Sequence, residues 1–117
     1  MRDKMKPELT AEHLGKNGQP TIMNCATIHY SRHAFERMFD RAIAPEVVGR
    51  IVAQGEIIAD YPDDRPYPSS LTLGFDQTRP IHVVVARDAV TNECHVVTVY
   101  LPDPALWDET FKRKGKP

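Results

Sequence analysis

The chain has 117 residues, 41% of them hydrophobic, and a formal net charge of −1 at pH 7. This length supports one domain with a modest core, since domains commonly run to about 100–150 residues. The charge balance excludes the strong basic surplus that is typical of nucleic-acid-binding domains, because from residue 27 onward 11 Lys and Arg stand against 13 Asp and Glu.

The first 24 residues show neither a helical nor a strand period, and they are rich in polar residues, Gly and Pro. This composition predicts a flexible arm, followed by a single domain over residues 25–117. Thr27–Tyr30 is predicted to form a short strand. Ser31 is expected to cap the helix that follows, because its hydroxyl can accept from a free amide of the first turn.

The first helix is predicted over residues 31–43. Read at about 100° per residue, one side gathers Ala34, Phe35, Met38, Phe39 and Ala42. A row of His33, Arg37 and Arg41 borders that side at i, i+4 and i+8. An imidazole one turn from a permanent cation suits phosphate binding combined with proton transfer. The arginines alternate with acidic residues, so the row also fits a solvated, salt-bridged helix face.

A second helix is predicted from Pro45, which suits the first helical position, to Gly55 as a left-handed stop. Four strands then follow as a meander, at residues 56–61, 70–75, 81–87 and 94–101. Asp103 before Pro104 predicts a short final helix with a basic tail. The predicted fold is α+β: two N-terminal helices packed on one face of a four-stranded antiparallel meander, leaving the other face for a site.

Strand alternation specifies which side chains share that open face. Pairing Ile81, Val83 and Val85 with Leu101, Val99 and Val97 makes every facing pair aliphatic, which predicts the core face. His82 then lies opposite Tyr100 on the other face, with Thr98 beside it. Pairing Phe75 with Ile81 places Gly74 opposite His82. The alternative is an ordinary cross-strand His–Tyr pair on a solvated surface.

Neither cysteines nor histidines indicate a metal or disulfide framework. Cys25 and Cys94 are far apart and form no CxxC pair, which favours a reducing cytoplasm. His29 and His33 show an H-x-x-x-H spacing, but no third ligand accompanies them. No metal and no cofactor is therefore expected, and no apolar run approaches the roughly 18 residues of a membrane span.

The run HAFERMFDRAIAPEVVGRIVAQGEIIADYPDD, then LTLG, PIHVVVARD and VVTVYLPDPALW, resembles a small bacterial family of domains of unknown function. That family resembles the RelE-like toxins, within the barnase, EndoU, colicin and RelE-type ribonuclease folds. The resemblance implies a RelE-like fold, an RNA substrate and a zinc-ribbon antitoxin as protein partner. By position, it implies catalytic roles for His33, Arg37, Thr98 and Tyr100.

The leading hypothesis is a toxin-like, metal-independent endoribonuclease of a bacterial toxin–antitoxin system. His33 or His82 would act as base or acid, Tyr100 or Thr98 would orient the phosphate, and cations would bind it. The expected substrate-binding residues are Arg41, Arg87, Lys112 and Arg113. The alternative is a non-catalytic, toxin-like module that acts through a protein partner, which fits the near-neutral charge.

Overall fold

A computed structural model of the chain describes residues 23–115, so most of the predicted arm lies outside the described residues. Two helices and five strands follow one another in the order β1 (Thr27–Tyr30), α1 (Arg32–Asp40), α2 (Pro45–Gln54), β2 (Glu56–Tyr61), β3 (Ser69–Asp76), β4 (Arg79–Arg87) and β5 (Glu93–Tyr100). The predicted positions of both leading helices and of the strands are confirmed to within a few residues. No helix in residues 23–115 is long and apolar enough to cross a membrane.

The strands form one mixed sheet in the order β1-β5-β4-β3-β2, in which β1 runs parallel to β5 and every other pair is antiparallel. The predicted four-stranded antiparallel, RelE-like meander is therefore wrong. Backbone bonds from Ala26 to Asn92 (2.8 Å) and from Ser31 to Val96 (3.2 Å) hold the added strand beside β5. These partners lie more than 60 residues apart, and local patterns carry no signal for such pairing.

A disulfide joins Cys25 to Cys94 across a separation of 69 residues, with 5.6 Å between the Cα atoms. Cys94 lies in β5 and is buried, whereas Cys25 precedes β1 and is half-buried. The prediction that these two cysteines form no disulfide framework is wrong. The bond anchors the start of the chain's described part to the beginning of β5.

Helix α1 begins as predicted at Ser31, whose hydroxyl accepts from the Ala34 amide at 2.9 Å and donates to the Val97 carbonyl at 3.1 Å. Only Ala34 and Met38 are buried. The predicted apolar side is too wide, because the helix ends at Asp40 and Phe39 is 88% exposed.

Helix α2 begins at Pro45 and buries Val48, Ile51 and Val52 against the sheet. Gly55 follows it with a φ of −73°, so the predicted left-handed stop is wrong. Glycine is needed there for space: a Cβ at Gly55 would lie 2.6 Å from the Ile51 carbonyl oxygen and 2.7 Å from that of Leu73.

The register between β4 and β5 is confirmed at its first three pairs, His82 with Tyr100, Val83 with Val99 and Val84 with Thr98. An irregularity then shifts the register so that Val85 pairs with Val96. Val97, predicted to lie in the core, is consequently 42% exposed.

The register between β3 and β4 differs by one residue from the predicted one. Leu73 lies opposite His82, and Gly74 pairs with Ile81 on the face that the helices cover. A Cβ on Gly74 would lie 2.4 Å from Ile51 Cγ1, so this glycine allows α2 to approach the sheet. Because Leu73, and not Gly74, lies opposite His82, the glycine leaves no space beside His82.

Residues 101–115 contain no helix, so the predicted C-terminal helix is wrong. Asp103 and Asp108 each accept from a backbone amide two residues later, at 2.8 and 3.0 Å, which favours successive turns over a continuous helix. A bridge between Trp107 and Lys114 closes the segment. It covers part of the sheet's second face, where Trp107 packs with Ile58 and its neighbours.

Candidate functional site

The structure separates the predicted site residues into two groups on opposite sides of the sheet. Helix α1, which carries His33 and Arg37, buries Ala34 and Met38 in the core formed with Val83 and its neighbours. On the opposite face, Tyr100 packs with Trp107, and His82 is paired with Tyr100. The first-helix residues therefore share no cleft with the strand residues, and their catalytic roles stay predictions.

The three predicted site residues in and directly after α1, His33, Arg37 and Arg41, lie at the surface. His33 and Arg41 are exposed, and Arg37 lies 3.9 Å from Asp40 in an ion pair. The Arg41 carbonyl accepts from the Arg79 guanidinium at 2.9 Å. This arrangement agrees with the solvated, salt-bridged helix face that the sequence left open.

His82 is fully buried in the centre of β4, and both of its ring nitrogens have partners. Nε2 lies 2.8 Å from the Phe111 carbonyl oxygen and Nδ1 lies 3.2 Å from the Tyr100 hydroxyl. Since a carbonyl only accepts, Nε2 must carry the proton in the neutral ring, and Nδ1 accepts from Tyr100. Burial lowers the pKa of His82, partly offset by the bond to Phe111, so the imidazole is neutral at pH 7.

Tyr100 connects this buried imidazole to the surface. Burial, and to a smaller degree the nearby phenol of Tyr61, raises the pKa of Tyr100, so its hydroxyl keeps its proton at neutral pH. That proton is donated to His82 Nδ1. The lone pairs of the Tyr100 oxygen therefore remain able to accept a hydrogen bond from a ligand.

Tyr100 lines a cleft of about 390 Å³, here called the tyrosine cleft, which lies between the sheet and the C-terminal segment. Its volume falls in the range of roughly 300–1,000 Å³ that is typical of small-molecule sites. Its lining residues are Ile58, Ala59, Tyr61, Leu71, Tyr100, Trp107, Lys112, Arg113 and Lys114. The lining combines three cations with three aromatic rings and contains no carboxylate.

The three cations of the cleft differ in their surroundings. Lys112 Nζ lies 3.0 Å from a carboxylate oxygen of Glu56, outside the lining. The Lys114 ammonium lies 5.7 Å from the centre of the Trp107 ring, a cation–π contact. Within residues 23–115, Arg113 has no carboxylate within ion-pair distance. The cleft thus presents positive charge that is only partly neutralised.

Of the other predicted site residues, Thr98 lies on the same face, opposite Val84, but does not line the cleft. Arg87 donates to the Asn92 side chain at 2.7 Å, at the far end of the sheet. Lys112 and Arg113 are the two predicted substrate-binding residues that line the tyrosine cleft together with Tyr100.

Sequence reasoning missed six of the nine lining residues, and three of these six carry an aromatic ring or a charge: Tyr61, Trp107 and Lys114. Tyr61 is the last residue of β2 and precedes Pro62. An aromatic residue at the end of a strand, beside a proline-rich loop, is the sequence signal that marks it as a candidate binding residue. Trp107 and Lys114 were assigned to a final helix and its tail. The absence of that helix brings them onto the sheet.

A second aromatic cluster lies on the same face toward β1, where His95 stacks between His29 and Tyr67 at centroid distances of 5.0 and 5.5 Å. His29 also lies 3.5 Å from Glu93. Across the described part of the chain, no three His, Cys, Asp or Glu side chains are grouped so that they could hold a metal ion.

The family model described as Domain of unknown function (DUF4258) matches residues 30–101. Comparisons with curated proteins and with solved structures find no match. The matched range includes His82 and Tyr100 but ends before the segment that supplies Trp107 and residues 112–114. The three cations of the cleft therefore lie outside the matched range.

Proposed function

The chain belongs to the family described as Domain of unknown function (DUF4258), and we propose that this member binds single-stranded RNA in the tyrosine cleft. One observation carries the proposal: three cations and three aromatic rings line one cleft that contains no carboxylate, in a chain whose net charge is −1. Charge is thus concentrated at this cleft although the whole chain has no basic surplus.

The lining suits both parts of a nucleotide. Aromatic rings such as Tyr61 offer faces on which an unpaired base can stack, and Lys or Arg beside them bind the phosphate. Arg113 contributes a planar guanidinium that matches two phosphate oxygens. Stacking requires bases that are not already paired, so the expected ligand is a single strand.

The orientation of Tyr100 favours RNA over DNA. Its proton is committed to His82, which leaves its oxygen as an acceptor at the cleft wall. A ribose 2′-hydroxyl can donate to that oxygen, whereas deoxyribose has no such donor. The bond to His82 fixes the direction of the Tyr100 hydroxyl. The Tyr100 oxygen would therefore act as a fixed acceptor for the ribose 2′-hydroxyl.

The test measures binding of a labelled single-stranded oligoribonucleotide, and of the DNA of the same sequence, by fluorescence anisotropy over a range of salt concentrations. We expect Lys112→Ala with Arg113→Ala to weaken RNA binding at least tenfold, and to reduce the logarithmic salt slope by roughly 0.7 for each contact removed. Arg32→Ala is the matched control, because it removes an exposed cation from α1 on the opposite side of the sheet.

Tyr100→Phe should narrow the difference in affinity between RNA and DNA, with circular dichroism confirming that the variant folds. If wild-type protein binds neither strand, or if Arg32→Ala weakens binding as much as the cleft variants, the proposal is wrong. The alternative, a non-catalytic module that acts through a protein partner, would then be favoured.

Metal-independent RNA cleavage at the same site is the second candidate, favoured by the contact between the Tyr100 hydroxyl and His82 Nδ1. In this step, the 2′-hydroxyl gives its proton to the Tyr100 oxygen while Tyr100 passes its own proton to His82. The 2′-oxygen attacks phosphorus, the bond to the 5′-oxygen breaks, and that oxygen takes a proton from water. The hydroxide left from that water takes back, through Tyr100, the proton that His82 received, so both residues return to their starting protonation states. The products are a 2′,3′-cyclic phosphate and a 5′-hydroxyl end.

This candidate is tested by incubating RNA with the protein in excess chelator and identifying the product ends. We expect cyclic-phosphate ends from wild-type protein, and loss of cleavage in Tyr100→Phe with binding retained within a few fold. His33→Ala is the informative comparison, because His33 lies on the other side of the sheet. Cleavage lost in His33→Ala but kept in Tyr100→Phe would contradict the assignment.

A ribonuclease of this kind would act in the cell as a toxin, with a small antitoxin protein, of the zinc-ribbon type that the sequence resemblance implies, as its partner. Induced expression should then arrest growth in a bacterial host, and expression of the Tyr100→Phe variant at the same level should not. Growth arrest by both proteins would contradict a toxic role based on cleavage.

A further inference from the structure

We infer that the protein holds two consecutive nucleotides of one strand, one in the tyrosine cleft and one in a neighbouring cleft, with Lys112 contacting the phosphate between them. The inference rests on the proposed RNA binding and specifies its smallest ligand. Its basis is that a second cleft also places a cation near an aromatic ring and shares Lys112 with the first cleft.

The second cleft, here called the edge cleft, has a volume of about 470 Å³ and lies where the end of α2 meets β2 and β3. Arg50, Gln54 and Phe75 supply a cation, an amide and an aromatic ring to its lining. Arg50 uses one of its five N–H donors on the Phe75 carbonyl, at 3.0 Å, which leaves the others for a ligand. The edge cleft therefore also combines a ring for stacking with a cation for phosphate.

The side chains of the edge cleft are accessible. Phe75 is 46% exposed, and Gln54 is exposed without a hydrogen-bond partner among residues 23–115. A side-chain amide offers both a donor and an acceptor, which is what the edge of an unpaired base requires. This cleft can thus hold a base by stacking and by hydrogen bonding at once.

Lys112 is the residue that joins the two clefts, because it lines both of them. Its ammonium lies 3.0 Å from Glu56, which lines only the edge cleft. A strand that crosses from one cleft to the other must bring a phosphate past this ammonium. Glu56 holds Lys112 at the boundary in the absence of ligand and competes with the phosphate for it.

The experiment titrates the full chain by calorimetry with uridine 5′-monophosphate and with 5′-phosphorylated oligouridylates of two, three and four nucleotides. We expect the largest gain, about tenfold or more, between one and two nucleotides, since each stacked base adds substantially to binding. Phe75→Ala and Arg50→Ala should remove that gain, so that each variant binds one and two nucleotides with about equal affinity. Phe39→Ala and Arg32→Ala, which change exposed residues of α1 that line neither cleft, are the matched controls.

Glu56→Gln provides an independent test, because it removes the competing carboxylate without changing the size of the side chain. Binding of the dinucleotide should become tighter in this variant, by several fold, and Lys112→Ala should abolish the gain in both backgrounds.

The two-cleft inference is overturned if affinity for one and two nucleotides is equal, or if Phe75→Ala and Arg50→Ala leave dinucleotide binding unchanged. In that case, RNA binding that still requires Lys112 and Arg113 would leave the proposed function standing. If no oligonucleotide of any length binds, the proposed function itself fails. Thermal melting of each variant separates loss of a contact from loss of the fold.

Discussion

His82 shows how one side chain links the stability of this domain to its site. It has no exposed surface, and its ring is held between Tyr100 and the Phe111 carbonyl, with Trp107 edge-on at 4.4 Å. The same contacts that fasten the C-terminal segment to the sheet also fix the direction of the Tyr100 hydroxyl. Structural and chemical roles therefore coincide in this residue.

The lowered pKa of His82 predicts a pH dependence of stability. Above its ordinary value of about 6.5, the ring is neutral in both folded and unfolded chains. As the pH falls below this value, the unfolded chain takes up a proton before the folded chain does, so the free energy of unfolding decreases. Urea unfolding between pH 8 and pH 5 should show this decrease.

His82→Gln should be less stable by about 1–3 kcal/mol at pH 7, because it disrupts the bonds to Tyr100 and Phe111. It should also lack the part of the pH dependence that His82 contributes. Identical pH profiles for wild type and variant would contradict the assignment of this effect to His82.

A second prediction at the scale of single residues concerns Thr72, which is buried between Val83 and Ile57 in the sheet. Within the described part of the chain, its hydroxyl has no hydrogen-bond partner. A buried polar group without a partner is costly, so Thr72→Val should raise the free energy of unfolding by about 1 kcal/mol. Urea unfolding checks this, and a destabilised variant would show that the hydroxyl is satisfied.

At the scale of elements, the close approach of α2 to β3 positions the edge cleft. Gly74 and Gly55 are both in places where a Cβ would overlap neighbouring atoms. Ile51 fills the space above Gly74, and this contact sets the distance between helix and strand. The distance between the walls of the edge cleft therefore depends on these two glycines, although a glycine has no side chain with which to contact a ligand.

Gly74→Ala should lower the free energy of unfolding by about 1–3 kcal/mol, because its Cβ would lie 2.4 Å from Ile51 Cγ1. Combining it with Ile51→Ala should cost less than the sum of the two single changes, since the smaller side chain admits the new methyl group. Chemical unfolding of all four proteins in the cycle measures the coupling. Strictly additive effects would show that the two residues do not share this space.

At the scale of the whole molecule, the ends of the described chain are brought back onto the sheet from opposite sides. The segment around Cys25 adds β1 beside β5 and is fastened there by the disulfide to Cys94. Residues 101–115 return over the second face and complete the tyrosine cleft. The site is consequently a product of long-range contacts.

Loss of the disulfide should destabilise the whole domain. Closing a loop of about 70 residues contributes roughly 4 kcal/mol in the chain-entropy model, because it restricts the unfolded chain. The midpoint of thermal unfolding should therefore be lower for the wild type with reductant, and for the Cys25→Ser variant, than for the oxidised wild type. Two reactive thiols in the denatured protein prepared without reductant would contradict the bond.

Part of the candidate site was accessible from the sequence. Strand alternation correctly placed His82 opposite Tyr100, because that pair precedes the irregularity in the β4–β5 register. The basic residues Lys112 and Arg113 were selected from the sequence as binding candidates, which stays a prediction, and their position beside Tyr100 was not predicted. The register error at Gly74 arose because Phe75 was paired with Ile81 in place of Pro80.

The sequence by itself determined the local elements: the Ser31 cap, the start of α2 at Pro45 and the alternating strands. Each of these depends on residues within a few positions of one another, so local propensity and periodicity are sufficient. Only the tertiary structure decided the parallel pairing of β1, the Cys25–Cys94 bond and the return of residues 101–115 across the sheet. These contacts join distant parts of the chain, and no local pattern encodes them. Burial of Trp107 against the second face of the sheet is one such contact, and it determines where the cations of the cleft lie.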